Sequence, residues 1–224
     1  MIRIFIGYDR SESVAAYVLA HSISARASEP VSFTFLNRTQ FNYFYSRERG
    51  PLDSTDFSLT RFLVPYLCDY KGFALFMDCD MLMRGDVAEL WSHSLFNKAV
   101  SVVQHDYTPA KSKKFLGQAQ TKYLRKNWTS VMLFDCSQCF VLTPQFVQRE
   151  SGLNLQQLNW ITDDKIGAIP KQWNYLVGEE NQCAGNEAKL IHYTNGTPCF
   201  DEYANSEFAD EWRAEFSAMS FHAN

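Results

Sequence analysis

Phe73-Ala-Leu-Phe-Met-Asp-Cys-Asp-Met-Leu-Met83 carries five apolar residues into Asp78 and Asp80, and more apolar residues follow at once. Behind Lys71-Gly72, a short run of this kind suits a strand buried on both faces of a parallel sheet, although a buried helix would have the same composition. Two carboxylates at the end of such a strand are costly to bury unless something cationic pairs with them. Mg²⁺ and Mn²⁺ take oxygen ligands of this kind, usually together with substrate phosphates. Ligands of open α/β sheets bind outside the carboxyl ends of the strands. The stretch therefore reads as a metal–diphosphate site, set against the plainer reading of Asp-x-Asp as a turn or a helix cap.

Toward the amino terminus, Arg3 to Tyr8 is β-rich and breaks at Gly7-Tyr8-Asp9. Ser11 or Ser13 is placed to cap a helix through Val14, Tyr17, Val18, His21 and Ile23, and Val31 to Leu36 makes a second strand. Strand, loop, helix and strand in that order open a Rossmann-like α/β sheet. The first loop lacks the G-x-G-x-x-G pattern, which disfavours a dinucleotide site. Tyr8 and Asp9 could stack on a base and accept hydrogen bonds from it or from ribose, or Asp9 could simply favour the helix dipole. Asn37 to Thr55 reads as a long surface loop, and Phe57 to Tyr70 as a helical pattern that Pro65 should end or kink. Arg61 lies within that apolar pattern. A buried guanidinium needs a carboxylate or phosphate partner, and a structural ion pair and a ligand contact both remain open.

Toward the carboxyl terminus, a helix is expected over Val87 to Trp91, a buried strand over Ala99 to Val103 and another over Val131 to Phe134. The strand over Ala99 to Val103 ends in Gln104-His105-Asp106-Tyr107, a charged exit of the kind a shared pocket rim would show, and Tyr107 to Arg125 is polar and expected to be mobile. Thr143-Pro144 reads as an N-cap with proline at the first helical position. Leu153 to Trp160 carries Gln156, Gln157 and Asn159 among apolar residues, with Asp163 and Asp164 just beyond. If that helix continues, Gln156, Asn159 and Asp163 share one face; Asp164 could instead cap the turn before Ile166. Lys189 to His192 is a strand ending in histidine, and Ser206 to Met219 reads as an amphipathic helix. No repeat or linker interrupts the chain, so one domain over residues 1–224 is expected.

Composition narrows the partners. The formal charge is −4 and the only basic cluster is Lys111 to Lys114, which argues against nucleic acid. No apolar run reaches membrane-spanning length. Met1 to Gly7 enters a strand directly, leaving no room for a secretory signal. The six cysteines are scattered through apolar segments, as in a reduced cytosolic protein. A cytoplasmic chain is expected, with peripheral attachment at an inner membrane face left open.

A haloacid dehalogenase phosphatase also places Asp-x-Asp after an apolar strand, but it resembles this chain poorly, because Met81-Leu82 follows where a small or hydroxylated residue is needed. The ordered set is more telling. A Gly-Tyr-Asp loop after the first strand, an Arg-bearing helix, a strand ending in Asp-x-Asp and a late His-Tyr-x-x-Gly-x-Pro segment together resemble the GT-A glycosyltransferases. Glycosyltransferase family 8 and its short bacterial relatives are the nearest resemblance, over roughly Ile4 to Tyr203. It implies an α/β fold with a mixed sheet flanked by helices. It also implies transfer of a sugar from a UDP-sugar donor to a saccharide, lipid-linked or protein acceptor, with retention at C1.

By the same resemblance, Asp78, Asp80 and His192 bind Mn²⁺ or Mg²⁺, Tyr8 and Asp9 hold the uridine, and Arg61 contacts the donor near the metal. Asn127 and Ser130 fall near the donor sugar, while Gly196 permits close backbone approach to the diphosphate. Gln156, Asn159 and Asp163 are the candidates at the reacting face, with Asp164 competing. Thr197 stands roughly where the family often has a lysine, which weakens charge neutralisation at the diphosphate. A sugar nucleotidyltransferase, or a sugar-nucleotide-binding protein without turnover, is the alternative.

Overall fold

The computed structural model describes residues 1–50, 53–93, 97–106, 123–180 and 182–220. Lys111 to Lys114, and Tyr107 with most of the polar stretch that follows it, lie outside the described residues.

The chain runs β1 (Ile2–Tyr8), α1 (Ser13–Ser24), β2 (Val31–Asn37), α2 (Val64–Leu67), β3 (Phe73–Met77), β4 (Met81–Met83), α3 (Val87–Ser92), β5 (Val100–Val103) and β6 (Val131–Asp135). It continues through α4 (Pro144–Arg149), α5 (Gly152–Gln156), β7 (Ile166–Ile169), β8 (Tyr175–Leu176), α6 (Gln182–Asn186), β9 (Leu190–His192) and α7 (Ala209–Ser220). Among the described residues these form a mixed six-stranded sheet ordered β2-β1-β3-β6-β5-β7 and a small sheet ordered β4-β9-β8. No described helix is long and apolar enough to cross a membrane.

Sequence explains the large sheet directly. In β1 and β3 almost every residue is apolar and buried, as expected for strands covered on both faces. They pair in parallel, with Ile4 opposite Leu75 and Ile6 opposite Met77, so both chains leave the sheet at the same end. As expected, the strand ends at the two carboxylates. It breaks at Asp78-Cys79-Asp80, and the residues after the break, β4, pair antiparallel with β9 in the other sheet. The acidic pair is the joint between two sheets.

Helix α1 buries Ala15, Ala16, Val18, Leu19, Ser22 and Ile23, a face with helical spacing. Ser22 donates to the carbonyl of Leu19 at 2.8 Å and accepts from the Met83 amide at 3.0 Å, which ties α1 to β4. Helix α7 rests on α1 through Glu215, whose Oε1 lies 2.5 Å from His21 Nδ1 and whose Oε2 lies 2.9 Å from Arg26 Nη2. Close packing at the sheet joint also shows at Gly85, where a Cβ would stand 2.9 Å from Lys189 Cβ and 3.1 Å from Trp173 Cη2.

Several local expectations are corrected. Neither Ser11 nor Ser13 caps the first helix; Asp9 caps a 3-10 turn over Arg10–Glu12, and α1 begins after it without a side-chain cap. Pro65 does not end a helix but starts one: Thr60–Leu63 is a 3-10 turn and Pro65 sits in the first turn of α2, where its missing N–H costs nothing. Helix α5 stops at Gln156, and Leu158 follows with φ of 58°, so Gln156, Asn159 and Asp163 do not share a helical face. The last helix starts at Ala209 rather than Ser206.

Gly7 in β1 leaves the space that Phe57 fills, since a Cβ there would lie 2.4 Å from Phe57 Cδ2. Gly7→Ala should lower stability by about 1–3 kcal/mol through overpacking, measured by chemical denaturation. A loss below about 0.5 kcal/mol would show that the Phe57 ring is not held there.

Candidate functional site

The site lies where β1 and β3 end. Met77 of β3 is opposite Val131 of the antiparallel β6, so the segment entering β6 stands beside Asp78. The Asp78 amide donates to the carbonyl of Ser130 at 2.9 Å. On the other side, Tyr193 N–H donates to the carbonyl of Asp80 at 2.8 Å, and Met81 is opposite His192 across the small sheet. Backbone bonds from two sheets therefore aim Asp78, Asp80 and His192 at one point. One ligand atom from each lies within 4.8 Å of the others, and all three residues are buried.

Their partners set the chemistry. Arg61 Nη2 lies 2.9 Å from Asp78 Oδ1. The guanidinium also donates from Nη1 to the carbonyl of Thr129 at 2.7 Å and lies over the Phe76 ring, 5.0 Å from its centroid. His192 Nε2 is 3.3 Å from Asp80 Oδ1, and Nδ1 is 2.8 Å from Asn174 Oδ1. Asn174 Nδ2 donates to the carbonyl of Asn127 at 3.3 Å, which leaves its Oδ1 facing the imidazole. A neutral His192 must then carry its proton on Nδ1 and present the Nε2 lone pair toward the aspartates, as a metal-binding histidine requires. Two carboxylates and one such nitrogen suit a hard divalent cation. The donor set fits.

Asp9 is buried and its carboxylate is used inside the protein. Oδ1 accepts from the Ser11 amide at 2.9 Å and the Ser11 hydroxyl at 2.5 Å; Oδ2 accepts from the Asp56 amide at 2.9 Å, with Arg49 Nη1 at 3.9 Å. Tyr8 beside it is half-buried, edge-on to Phe35 at 6.4 Å. Asn127 is buried with φ of 61°, and its side chain donates to Thr194 Oγ1 at 3.2 Å. Ser130 is buried next to Asp78. Gly196 N–H closes a turn on the carbonyl of Tyr193 at 2.8 Å, and Thr197 is fully buried with Oγ1 2.9 Å from Cys199 Sγ.

The three candidates beyond α5 separate. Gln156 joins the Arg61 region: its Oε1 accepts from Thr129 Oγ1 at 2.5 Å and its Nε2 donates to the carbonyl of Ser58 at 2.8 Å. Asn159 is exposed and bonds Asn154 and Gln157. Asp163 is 80% exposed on its side chain and pairs with Arg125 at 2.7 Å. Asp164 is also exposed, its carboxyl held below the usual range first by the Thr162 hydroxyl.

Glu12, which sequence reasoning passed over, and His105, at the charged strand exit, complete the picture. Glu12 is 1% exposed, and among the described residues neither of its oxygens finds a nitrogen or hydroxyl partner; the Cys79 thiol is beside it. Burial first, then the negative fields of Asp80 and Asp9, hold its carboxyl well above the usual carboxylate range. The Cys79 thiol is pushed up as well, mainly by burial. Near His192, His105 is buried with Nδ1 3.1 Å from Glu180 Oε1. Burial lowers the imidazole pKa and Glu180 partly offsets it. The polar strand exit at Gln104-His105-Asp106 was a sequence signal for this rim. Glu12 had none, because a lone acid between two serines looks like helix-start polarity.

No family model matches the sequence. Among curated proteins, Protein CDI of Arabidopsis thaliana is 42% identical over 220 residues, covering 95% of this chain and 85% of that protein. The apo structure of the bifunctional glycosyltransferase WbbM superimposes with a TM-score of 0.69 at 15% identity, over 96% of this chain and 49% of that one. This chain thus spans about half the length of WbbM. The galactosyltransferase LgtC, solved with donor and acceptor sugar analogues, gives a TM-score of 0.65 at 13% identity, over 100% of this chain and 98% of that one. GlyE of Streptococcus pneumoniae, another glycosyltransferase, gives 0.63 at 12% identity, over 97% and 62%. At these identities the likeness establishes the fold, which is that of GT-A glycosyltransferases.

Glu12 generates a prediction with a definite sign. Neutral in the folded protein and ionised in the unfolded chain above the ordinary value of 4.5, it costs stability as pH rises from there toward its raised folded pKa. In metal-free protein, Glu12→Gln should remove that fall, making the stability–pH slope shallower by about 1.4 kcal/mol per pH unit within the window. Urea denaturation at several pH values would measure it; equal slopes in parent and variant would show that Glu12 ionises normally.

Proposed function

The chain belongs to the same family as Protein CDI, and we propose that it is a metal-dependent glycosyltransferase moving a sugar from a nucleotide-sugar donor, a UDP-sugar, to an acceptor with retention at C1. The observation that carries this reading is the buried Asp78, Asp80 and His192 group at the strand ends of a GT-A fold, with the His192 tautomer set by Asn174.

Asp78, Asp80 and His192 would hold Mn²⁺ or Mg²⁺. Bound there, the cation supplies Lewis-acid stabilisation of charge growing on a leaving diphosphate. The protein's own groups do the rest by position. Arg61 holds Asp78 and is itself held by the Thr129 carbonyl and by aromatic rings, so its charge stays fixed at the donor side. Gln156 braces Thr129 and Ser58 around that arginine, which gives it an orienting part at the sugar-facing side. Tyr8 and the turn set by Asp9 would flank the uridine. Asp9 does this by shaping the loop, since its oxygens already accept from two backbone amides. Asn127 and Ser130 line the entry to β6 beside Asp78, where a donor sugar would lie. Retention requires no protein nucleophile here, and none is assigned.

Removal of one ligand tests the reading. Asp80→Ala should abolish Mn²⁺-dependent binding of uridine diphosphate in calorimetry while far-ultraviolet circular dichroism stays unchanged. Alongside it, a panel of nucleotide sugars assayed for Mn²⁺-dependent release of nucleoside diphosphate needs no known acceptor. Metal-dependent binding that persists in the variant would sink the site assignment. Binding without release for every sugar nucleotide would point to a sugar-nucleotide-binding protein without turnover.

A further inference from the structure

Among the described residues the large sheet ends in β2 on one side and β7 on the other. An edge strand carries a row of backbone groups that a further strand can pair with, and edges are blunted by shortness, charge or proline. β7 is blunted: it spans only Ile166–Ile169, with Lys165 before it and Pro170 after it. β2 is not. Its residues Val-Ser-Phe-Thr-Phe-Leu-Asn, from Val31 to Asn37, contain neither charge nor proline.

Register shows which groups are left over. Ile2 N–H donates to the carbonyl of Pro30 at 2.9 Å, and Ile2 is opposite Val31 in the parallel ladder. Backbone groups alternate in direction along a strand, so Pro30, Ser32, Thr34 and Leu36 turn theirs to β1. Val31, Phe33, Phe35 and Asn37 turn theirs outward, and no described strand pairs with them. Their side chains share one face of the sheet. There Phe35 packs against Tyr17 of α1 at 5.1 Å, Tyr17 is 48% exposed, and Phe33 is half-buried. Apolar surface thus runs out to the edge.

The strand itself says what fits that edge. Read about Thr34, an antiparallel copy of β2 sets Phe33 opposite Phe35 and Val31 opposite Asn37. Every outward residue then meets an outward residue, as hydrogen-bonded pairs require, and Thr34 meets Thr34 in a non-hydrogen-bonded pair. Aromatic and Thr–Thr cross-strand pairs are favourable ones. Charge agrees, because the exposed Glu29 ahead of the strand falls beside Arg38 that follows it in the other copy. We propose that β2 pairs antiparallel with β2 of a second copy of this chain about a two-fold axis at Thr34, joining two six-stranded sheets into one. The contact uses the same patch on both copies and closes at the dimer. Asn37 is opposite Tyr8, so the candidate sites of the two copies face opposite ends of the seam.

Sedimentation equilibrium tests the pairing. At about 50 µM the parent should be a dimer of the 25.8 kDa chain. Thr34 is exposed, and Thr34→Lys or Thr34→Asp sets like charges across the axis. Each should weaken dimerisation at least about tenfold, and an equimolar mixture of the two should recover the parent affinity within about threefold. With oxidised glutathione, Thr34→Cys should cross-link to a second copy of itself, since such partners stand about 4.5 Å apart at Cα, within disulfide reach. Ser32→Cys, opposite Leu36, should not. The cross-link is read by mass spectrometry of the peptide carrying position 34, and it stands even if a charged variant fails to fold. A parent that stays monomeric, as an edge reserved for a strand of another protein would leave it, overturns the proposal. So does a dimer that either charge leaves intact, a mixture without recovery, or a Ser32→Cys cross-link as ready as that of Thr34→Cys.

Discussion

Four carboxyl groups, those of Asp9, Glu12, Asp78 and Asp80, are buried at one end of the large sheet, and holding them there is the constraint on which the rest depends. Each is accommodated differently. Asp9 is satisfied by backbone amides of two loops and Asp78 by the Arg61 guanidinium, Asp80 stands 3.3 Å from the His192 nitrogen that faces the same point, and burial holds the Glu12 carboxyl well above the usual carboxylate range. The elements around the site follow from these four solutions. The 3-10 turn at Arg10–Glu12 exists because Asp9 caps it. The irregular entry to β6 exists because Arg61 needs the Thr129 carbonyl and Asn174 needs that of Asn127. Such an arrangement stores repulsion, and repulsion of this kind is relieved by positive charge from outside.

The site was legible in the sequence where its residues end strands. Asp78, Asp80 and His192 each follow or close a short apolar run, and burial of the run forces the polar residue to a sheet edge. Arg61 was marked by its apolar surroundings, and the pairing with Asp78 realises the structural alternative that had been left open. Asp9 likewise shows the cap-like use that competed with base recognition.

What was not legible depends on backbone that no periodicity describes. Gln156, Asn159 and Asp163 were grouped by assuming that helix spacing continued; the left-handed Leu158 ends it, and only Gln156 turns inward. Glu12 and Asn174 sit in a 3-10 turn and a loop, where composition says little about direction. Pro65 could be read as a terminator or an initiator, and the 3-10 turn before it decided for the initiator. The change of sheet after Asp80 was hidden because apolar residues resume at once while the hydrogen-bond partner changes from one sheet to the other.

That split makes the acidic pair a mechanical coupling as well as a chemical one. Asp78 is carried by the large sheet and His192 by the small one, so an ion held between them would act as a rivet across two separately paired layers. Its retention would then gauge how firmly the layers are seated. Substitutions that never touch the ion, such as enlarging Gly85 against Lys189 and Trp173, would then loosen it by moving one layer against the other. In this architecture, affinity at the centre and rigidity at the periphery are one quantity seen from two places.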